Sequence, residues 1–265
     1  MVRRAAIALC VIGSLATPAA AEKNHVPWYR GRDGHNRVLH ISLAGGLALT
    51  WALSGTIIQS SVAGDCRWCE PPGFDKSLRE SLKWDNTERA QRSSAVSAYI
   101  VAPALAVGLL VLSDHDASPS RLIDDLIPVV ETVAIAQILT HAAKAVFSRQ
   151  RPYAHFNTPG ISGSDTDANL SFWSGHSSLG FALTTSAGMI AHWRHYWTEP
   201  YIWSLGIASS LATEYFRVAA DRHYVSDVLV GGFVGVGAGL LVPRLMRREL
   251  AIVPVANGAS VVGQF

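Results

Sequence analysis

Three side chains with reactive chemistry lie close together in the segment 216–232: Arg217, His223 and Asp227. His223 and Asp227 are four residues apart, so they share one face of a helical turn. A carboxylate there accepts the proton of one imidazole nitrogen, which leaves the other nitrogen free to attack an electrophile. Arg217 adds a permanent planar cation that suits phosphate oxygens. The segment predicts phosphoryl transfer, although most pairs at this spacing are ordinary surface contacts.

Two further clusters lie earlier in the chain. Lys144 and Arg151 stand in a Lys-x6-Arg-Pro pattern, and Ser174, Gly175 and His176 are consecutive. All three clusters fall at predicted helix ends, and the first amides of a helix form an anion site. Short connections make neighbouring helices antiparallel, so these ends meet at one end of a bundle. The sequence therefore predicts a single anion site built from two arginines, one lysine, two histidines and one aspartate.

The elements that must position these clusters are helices. Apolar patterning and turn residues predict helices over 38–62, 89–112, 121–147, 174–193, 200–217 and 226–244, with 63–88 as a loop or short-helix excursion. Pro103 predicts a kink in the second helix. Gly231, Gly235 and Gly239 are four apart, which predicts close approach of another helix. The tail around Asn257 predicts a small β-hairpin. The expected fold is an all-α bundle of about six helices with the active site at one end.

Composition restricts the class of protein. Hydrophobic residues make up 49% of the 265 residues and charged residues only 16%, against about 25% charged residues in ordinary soluble proteins. The chain is therefore either a densely buried helical domain or a membrane protein. The formal charge is +2, and it falls to zero when Arg3 and Arg4 are discounted as part of a removable leader. No basic field remains that would indicate nucleic-acid binding.

Residues 1–21 have the pattern of a secretory signal peptide, with Arg3 and Arg4 before an apolar stretch and three alanines at 19–21. An uncleaved membrane anchor is the alternative. Cleavage would leave residues 22–265 as a single helical domain, with the motifs in 121–246, exported to the cell envelope (periplasm). In that oxidising compartment Cys66 and Cys69 are expected to form a local disulfide. A redox-active pair is the alternative, although no βαβ pattern surrounds it.

The three clusters resemble the type 2 phosphatidic acid phosphatase family, which includes bacterial non-specific acid phosphatases and vanadium haloperoxidases. The family pattern is Lys-x6-Arg-Pro, then Pro-Ser-Gly-His, then Ser-Arg-x5-His-x3-Asp. The resemblance covers residues 121–246, and the first 120 residues carry no recognisable motif. Two positions depart from the pattern: Trp173 stands in place of the proline and Phe216 in place of the serine. Both departures concern the choice of substrate more than the chemistry.

The resemblance implies a mechanism. His223 would attack phosphorus and form a phospho-histidine, Asp227 would orient it, and His176 would protonate the leaving oxygen and then activate water. No metal or other cofactor is implied, because cations neutralise the transferred group. The implied phosphate-binding residues are Lys144, Arg151, Ser174, Gly175 and Arg217.

The function implied is a metal-independent phosphatase for phosphomonoesters or diphosphates, with a lipid-linked substrate such as phosphatidic acid or a polyprenyl diphosphate. Stretches 95–112 and 228–243 approach the apolarity of a membrane span, whereas Asp124, Asp125 and Glu131 in the third helix are costly against lipid. Membrane contact is therefore expected, embedded or peripheral. The alternatives are a soluble periplasmic acid phosphatase, a vanadate-dependent haloperoxidase and a catalytically silent scaffold. The oligomeric state is left open.

Overall fold

Long helices occupy the positions that the sequence predicted. The computed structural model describes residues 35–61, 66–113, 119–161, 167–247, 251–255 and 258–262, so the predicted signal peptide at 1–21 lies outside the described residues. The helices are α1 (His35–Ser61), α2 (Gly73–Leu82), α3 (Thr87–Val96), α4 (Leu109–Ser113), α5 (Pro119–Phe147), α6 (Pro152–His155), α7 (Gly175–Arg194), α8 (Glu199–Ala219) and α9 (Val225–Arg247). The predicted all-α fold is confirmed, and the excursion over 63–88 contains α2.

The second predicted helix is continuous from Thr87 to Ser113, but it is not α-helical throughout. Two π-helical turns, Ser97–Val101 and Ala104–Gly108, separate α3 from α4. Pro103 stands between these turns, where its missing N–H and its ring interfere with the i→i−4 hydrogen bonds of a regular helix. The kink predicted at Pro103 thus coincides with a change in helical hydrogen bonding.

Helix α7 is the centre of the bundle and packs against α5, α8 and α9. Its buried face includes Leu183 and Ile190, which join Leu110, Val133 and Ile202 in the main hydrophobic core. Helix α1 lies outside this centre and packs against α5. Because α7 begins at the predicted site and its neighbours end or begin beside it, the core fixes the relative positions of the motif-bearing helix ends.

The predicted close approach at the α9 glycines is confirmed. A Cβ atom on Gly231 would lie 2.5 Å from the carbonyl oxygen of Ser174, and one on Gly235 would lie 2.5 Å from that of Ser178. Such distances leave no room for a side chain. The backbone of α9 therefore rests directly on the backbone of α7, including the residue that caps α7.

Two smaller predicted features are also present. The tail forms strands β1 (Ala251–Val255) and β2 (Gly258–Val262), which pair antiparallel with Val255 opposite Gly258. Cys66 and Cys69 are joined by a disulfide, with their Cα atoms 5.4 Å apart.

Three of the described helices are long and apolar enough to cross a membrane: Val38–Ile57, Thr87–Ser113 and Val225–Met246. They contain much of the exposed apolar surface, for example Leu49 and Leu53 on α1 and Phe233 on α9. Water would solvate these side chains poorly, whereas the acyl chains of a bilayer match them. The exterior of the bundle is therefore suited to membrane association.

Two of the three α5 carboxylates that would be costly against lipid, Asp125 and Glu131, lie inside the bundle. Asp125 accepts hydrogen bonds from Arg194 at 2.8 Å and from the hydroxyl of Tyr196 at 2.6 Å. Glu131 is 3% exposed and lies 3.2 Å from Nδ1 of His40 on α1. Both acids thus have polar partners, which removes most of the penalty for burying them.

The α7–α9 contact generates a test of packing. Gly235→Ala is expected to destabilise the protein by about 1–3 kcal/mol, because the new methyl group would meet backbone atoms of Ser178 and Ala182 that cannot rotate away. Gly237→Ala is the matched control on the same helix, since its Cβ would meet nothing within 4 Å, and it should gain up to about 1 kcal/mol of helix propensity. Thermal unfolding of the purified proteins in detergent measures both effects, and equal melting temperatures would contradict the packing.

Candidate functional site

The structure brings the predicted helix ends together. The guanidinium of Arg151, in the turn before α6, lies with its Nη1 atom 3.1 Å from Nε2 of His223, in the loop between α8 and α9. The charges of Lys144, Arg217 and His176 act on His223 as well. These residues come from the end of α5, the end of α8 and the start of α7. Segments far apart in sequence therefore surround one small volume.

The protonation state of His223 follows from its neighbours. An arginine N–H can only donate, so Nε2 of His223 must accept the hydrogen bond from Arg151 and the ring proton must reside on Nδ1. His223 is 1% exposed. Burial, followed by the charges of Arg151 and Arg217, lowers the pKa of His223 well below its ordinary value. The ring is consequently neutral, with a free electron pair directed toward the cations.

Asp227 is close to His223, but the predicted hydrogen bond between them is not formed. The distance from Nδ1 of His223 to Oδ2 of Asp227 is 3.6 Å, which is longer than a hydrogen bond. Oδ2 accepts instead from the hydroxyl of Ser171 at 2.6 Å and from the N–H of Tyr224 at 2.9 Å. Asp227 is thus held rigidly beside the imidazole by these other partners.

Arg149 is a functional candidate that sequence reasoning missed. Its Nη1 contacts Oδ1 of Asp227 and lies 2.7 Å from Oγ of Ser226, while its Nη2 lies 2.7 Å from Oδ2 of Asp75. Arg149 and both carboxylates are at most 1% exposed. The guanidinium therefore joins Asp75 on α2 to the acid beside His223. The available signal was a second arginine, two positions before Arg151, inside the six-residue gap of the first motif.

The excursion over 63–88, which carried no motif, supports the loops of the site. Asp75 also accepts from the N–H of Ser226 at 3.0 Å. One turn later on α2, Arg79 donates to both carboxylate oxygens of Asp221 at 2.6 and 2.8 Å. Trp68 lies over Arg149, with the guanidinium carbon 3.9 Å from the ring centroid. Residues 66–82 thus hold both the 148–151 turn and the loop that carries His223.

The start of α7 forms the second side of the site. Ser174 caps the helix with its side chain, which accepts from the N–H of Ser177 at 3.4 Å, while its own N–H donates to the carbonyl oxygen of Asp227 at 3.0 Å. A Cβ on Gly175 would lie 3.3 Å from Oε1 of Gln137. His176 follows in the first turn and is half-buried. Burial, then the charges of Arg217 and Lys144, lowers the pKa of His176 well below its ordinary value.

The cations of the site are poorly supplied with counter-charge. Arg151 donates to Asp167, with Nη2 2.8 Å from Oδ1, but Arg217 donates to the amide of Gln91 at 2.6 Å. In the described part of the chain, the buried Nε of Arg217 has no hydrogen-bond partner, and the hydrogen bond at Lys144 is to its backbone carbonyl rather than to its side chain. Burial and the neighbouring charges lower the pKa of Arg217 to about 9 and that of Lys144 to about 7. Such a cluster has excess positive charge, which an anion would relieve.

The two positions that depart from the family pattern have partners within the fold. Trp173 donates from Nε1 to Oγ1 of Thr140 at 2.8 Å. Phe216 packs edge-on against Trp84, with the ring centroids 5.7 Å apart. Both substitutions therefore extend the packing around the site. Among the described residues, no group of three histidine, cysteine, aspartate or glutamate side chains could hold a metal ion.

Comparison with known proteins finds a family similar to the segment that carries this site. Residues 125–251 match the PAP2 superfamily. Phospholipid phosphatase 2 of Mus musculus is 27% identical over 202 residues, which cover 64% of this chain and 73% of the mouse protein. Phospholipid phosphatase 2 of Rattus norvegicus is 33% identical over 122 residues, which cover 37% of this chain and 44% of the rat protein.

Two solved structures are similar at lower identity. LpxE of Aquifex aeolicus is 17% identical with a TM-score of 0.43, covering 63% of this chain and 91% of that one. The transmembrane PAP2-type phosphatidylglycerolphosphate phosphatase of Bacillus subtilis is 16% identical with a TM-score of 0.46, covering 78% and 94%. The segment matched by the family contains all three motif clusters. The segment 125–251 is therefore similar to the PAP2 superfamily.

Proposed function

We propose that this protein is a phosphatase that hydrolyses lipid-linked phosphomonoesters or diphosphates through a phospho-histidine on His223. The observation that carries the proposal is the position of Nε2 of His223, 3.1 Å from Nη1 of Arg151, within a cluster of cations short of counter-charge. The relatives named phospholipid phosphatase 2 support a lipid phosphate as substrate. The apolar helices support a substrate that resides in a membrane.

The first half of the reaction transfers the phosphoryl group to the protein. The phosphate oxygens are bound by Lys144, Arg151 and Arg217 and by the backbone amides at the start of α7. We call this set of groups the anion cradle. Nε2 of His223 forms a bond to phosphorus as the bond from phosphorus to the leaving oxygen breaks. The imidazole becomes cationic in this step. The carboxylate of Asp227, 3.6 Å from Nδ1, stabilises that charge.

The second half returns the protein to its starting state. During the first half, His176 gives its proton to the leaving oxygen. In the second half, the now neutral His176 takes a proton from water. That water attacks phosphorus, the bond from phosphorus to Nε2 breaks, and inorganic phosphate leaves. His176 must be protonated at the start. A bound phosphate supplies negative charge beside Arg217 and Lys144, which offsets the effect that lowers the pKa of His176.

The proposal also includes metal independence, export to the cell envelope and contact with a membrane. Neutralisation of the phosphate by three cations makes a metal ion unnecessary, so turnover should be metal-independent. Export to the cell envelope rests on the signal-like residues 1–21, and membrane contact rests on the apolar helices. The substrate would then be a phosphorylated lipid of the envelope.

Replacing the proposed nucleophile tests the reaction directly. His223→Ala should lower phosphate release by about 10⁴-fold or more, because the nitrogen that bonds to phosphorus is removed. His192→Ala is the matched control: His192 lies in the last turn of α7, where it contacts Glu199, and its loss should leave the rate unchanged. Phosphate release is measured with phosphatidic acid, a polyprenyl diphosphate and a soluble aryl phosphate. Wild-type turnover in His223→Ala would refute the assignment.

The low pKa of Lys144, about 7, predicts a pH dependence of anion binding. Lys144 is charged below that pH and loses its charge above it, so inhibition by sulfate, a dianion throughout this range, should weaken by up to about tenfold per pH unit. Lys144→Arg should retain the charge and flatten the profile between about pH 7 and 8.5. Inhibition constants measured across the range test this, and parallel profiles for both proteins would contradict it.

The ion bridge through Arg149 predicts a loss of catalysis without a loss of binding. Arg149→Lys should lower kcat by about 10- to 100-fold with little change in KM, because Arg149 contacts Asp227 and not the phosphate-binding side chains. Arg92→Lys is the control, since Arg92 forms an exposed pair with Glu88 on α3. Steady-state kinetics on phosphatidic acid measure both values. An unchanged kcat in Arg149→Lys would show that the bridge has no role in positioning.

A further inference from the structure

The π-helical turn Ser97–Val101 lies beside the proposed site and is anchored on one side. The hydroxyl of Ser97 donates to the carbonyl oxygen of Ser209 on α8 at 3.0 Å, and the hydroxyl of Thr213 donates to Ser97 at 2.8 Å. Ser97 and Ala98 are buried against this helix. π-Helical turns inside α-helices are frequent at functional sites, because the extra residue redirects a side chain. The turn is therefore fixed in orientation by α8.

The residue that the turn directs at the site is Tyr99. Its ring meets that of His176 edge-on, with centroids 4.8 Å apart and planes at 61°. Its hydroxyl is near enough to Arg217 to interact electrostatically with it. Tyr99 is nevertheless 57% exposed, as is its neighbour Ile100 at 62%. One edge of the Tyr99 ring thus touches the site, while much of the side chain faces the surroundings of the bundle.

The position of His176 decides which part of a substrate would meet Tyr99. In the proposed reaction His176 protonates the leaving oxygen, which departs on the side of phosphorus opposite to His223. A group in contact with His176 therefore lies beside the alcohol that leaves. Tyr99 also belongs to Thr87–Ser113, a helix long and apolar enough to cross a membrane, so in a membrane-embedded protein the exposed part of its ring would face acyl chains.

We propose that Tyr99 is a specificity-determining residue that contacts the leaving group and favours alcohols bearing acyl chains. The inference rests on the proposed function and adds the side from which the lipid enters, along the Thr87–Ser113 helix. The contact is made by the ring, an apolar surface with a polar end that suits the boundary between the phosphate and the acyl chains. The hydroxyl is not required for this recognition.

The test compares two substrates that differ only in their acyl chains, phosphatidic acid in detergent micelles and glycerol 3-phosphate. Tyr99→Ala should lower kcat/KM for phosphatidic acid by about tenfold and change the value for glycerol 3-phosphate by less than about twofold. Tyr99→Phe should retain both activities. Ile100→Ala is the matched control, since Ile100 is the next residue of the same turn and is exposed to a similar extent, and it should also retain both.

Other results of this experiment would overturn either the inference alone or the proposed function as well. Equal fractional losses on both substrates in Tyr99→Ala, or an equal loss in Ile100→Ala, would overturn the inference while leaving the phosphatase intact. If the wild-type protein turns over phosphatidic acid alone, the inhibition constant of inorganic phosphate, which has no alcohol part, becomes the reference and should be unchanged in Tyr99→Ala. A wild-type protein that releases phosphate from neither substrate, nor from a polyprenyl diphosphate or a soluble aryl phosphate, would instead overturn the proposed function, and the inference with it. Release from the polyprenyl diphosphate alone would overturn only the inference.

Discussion

The bridge from Asp75 through Arg149 to Asp227 is the interaction on which the site depends. One guanidinium contacts two fully buried carboxylates and the hydroxyl of Ser226. Buried charges are tolerated only when every partner is present, and removing one leaves an uncompensated ion. The bridge therefore fixes α2, the 148–151 turn and the first turn of α9 relative to one another. Those segments determine where Asp227 lies beside His223.

Next to this neutralised network lies a second region, in which positive charge exceeds negative charge. Lys144 and Arg217 have few partners within the described residues, and their pKa values fall to about 7 and about 9. The repulsion costs stability, so it must be supported by packing elsewhere. The glycine face of α9 and the buried centre of α7 supply that packing. Burial, followed by the same repulsion, lowers the pKa of both imidazoles, and the neutral His223 that results is suited to act as a nucleophile.

Sequence reasoning predicted the helices and the residues that assemble at their ends, because both depend on local spacing. Helix periodicity and glycine spacing are properties of single segments, and the three motifs have fixed internal distances. Arg149, Asp75 and Tyr99 were missed for the opposite reason. Asp75 and Arg149 are 74 positions apart, and nothing in either segment specifies the other. Tyr99 reaches His176 through a π-helical turn that apolar periodicity does not reveal.

The hydrogen bond between Asp227 and His223 could not be settled from the sequence either. Their four-residue spacing places them on one face, but the competing donors Ser171 and Tyr224 determine the carboxylate's orientation. Ser171 lies 56 positions away. The local spacing thus places Asp227 near His223, and tertiary contacts determine the distance between the carboxylate and the imidazole.

The direct backbone contact between Gly231 and Ser174 has a mechanical consequence. Because no side chain separates α9 from the cap of α7, the width of the anion cradle is tied to the spacing of two helices, one of which is long enough to cross a bilayer. A membrane that compresses or spreads these helices would therefore alter the dimensions of the cradle without touching any group that takes part in the reaction.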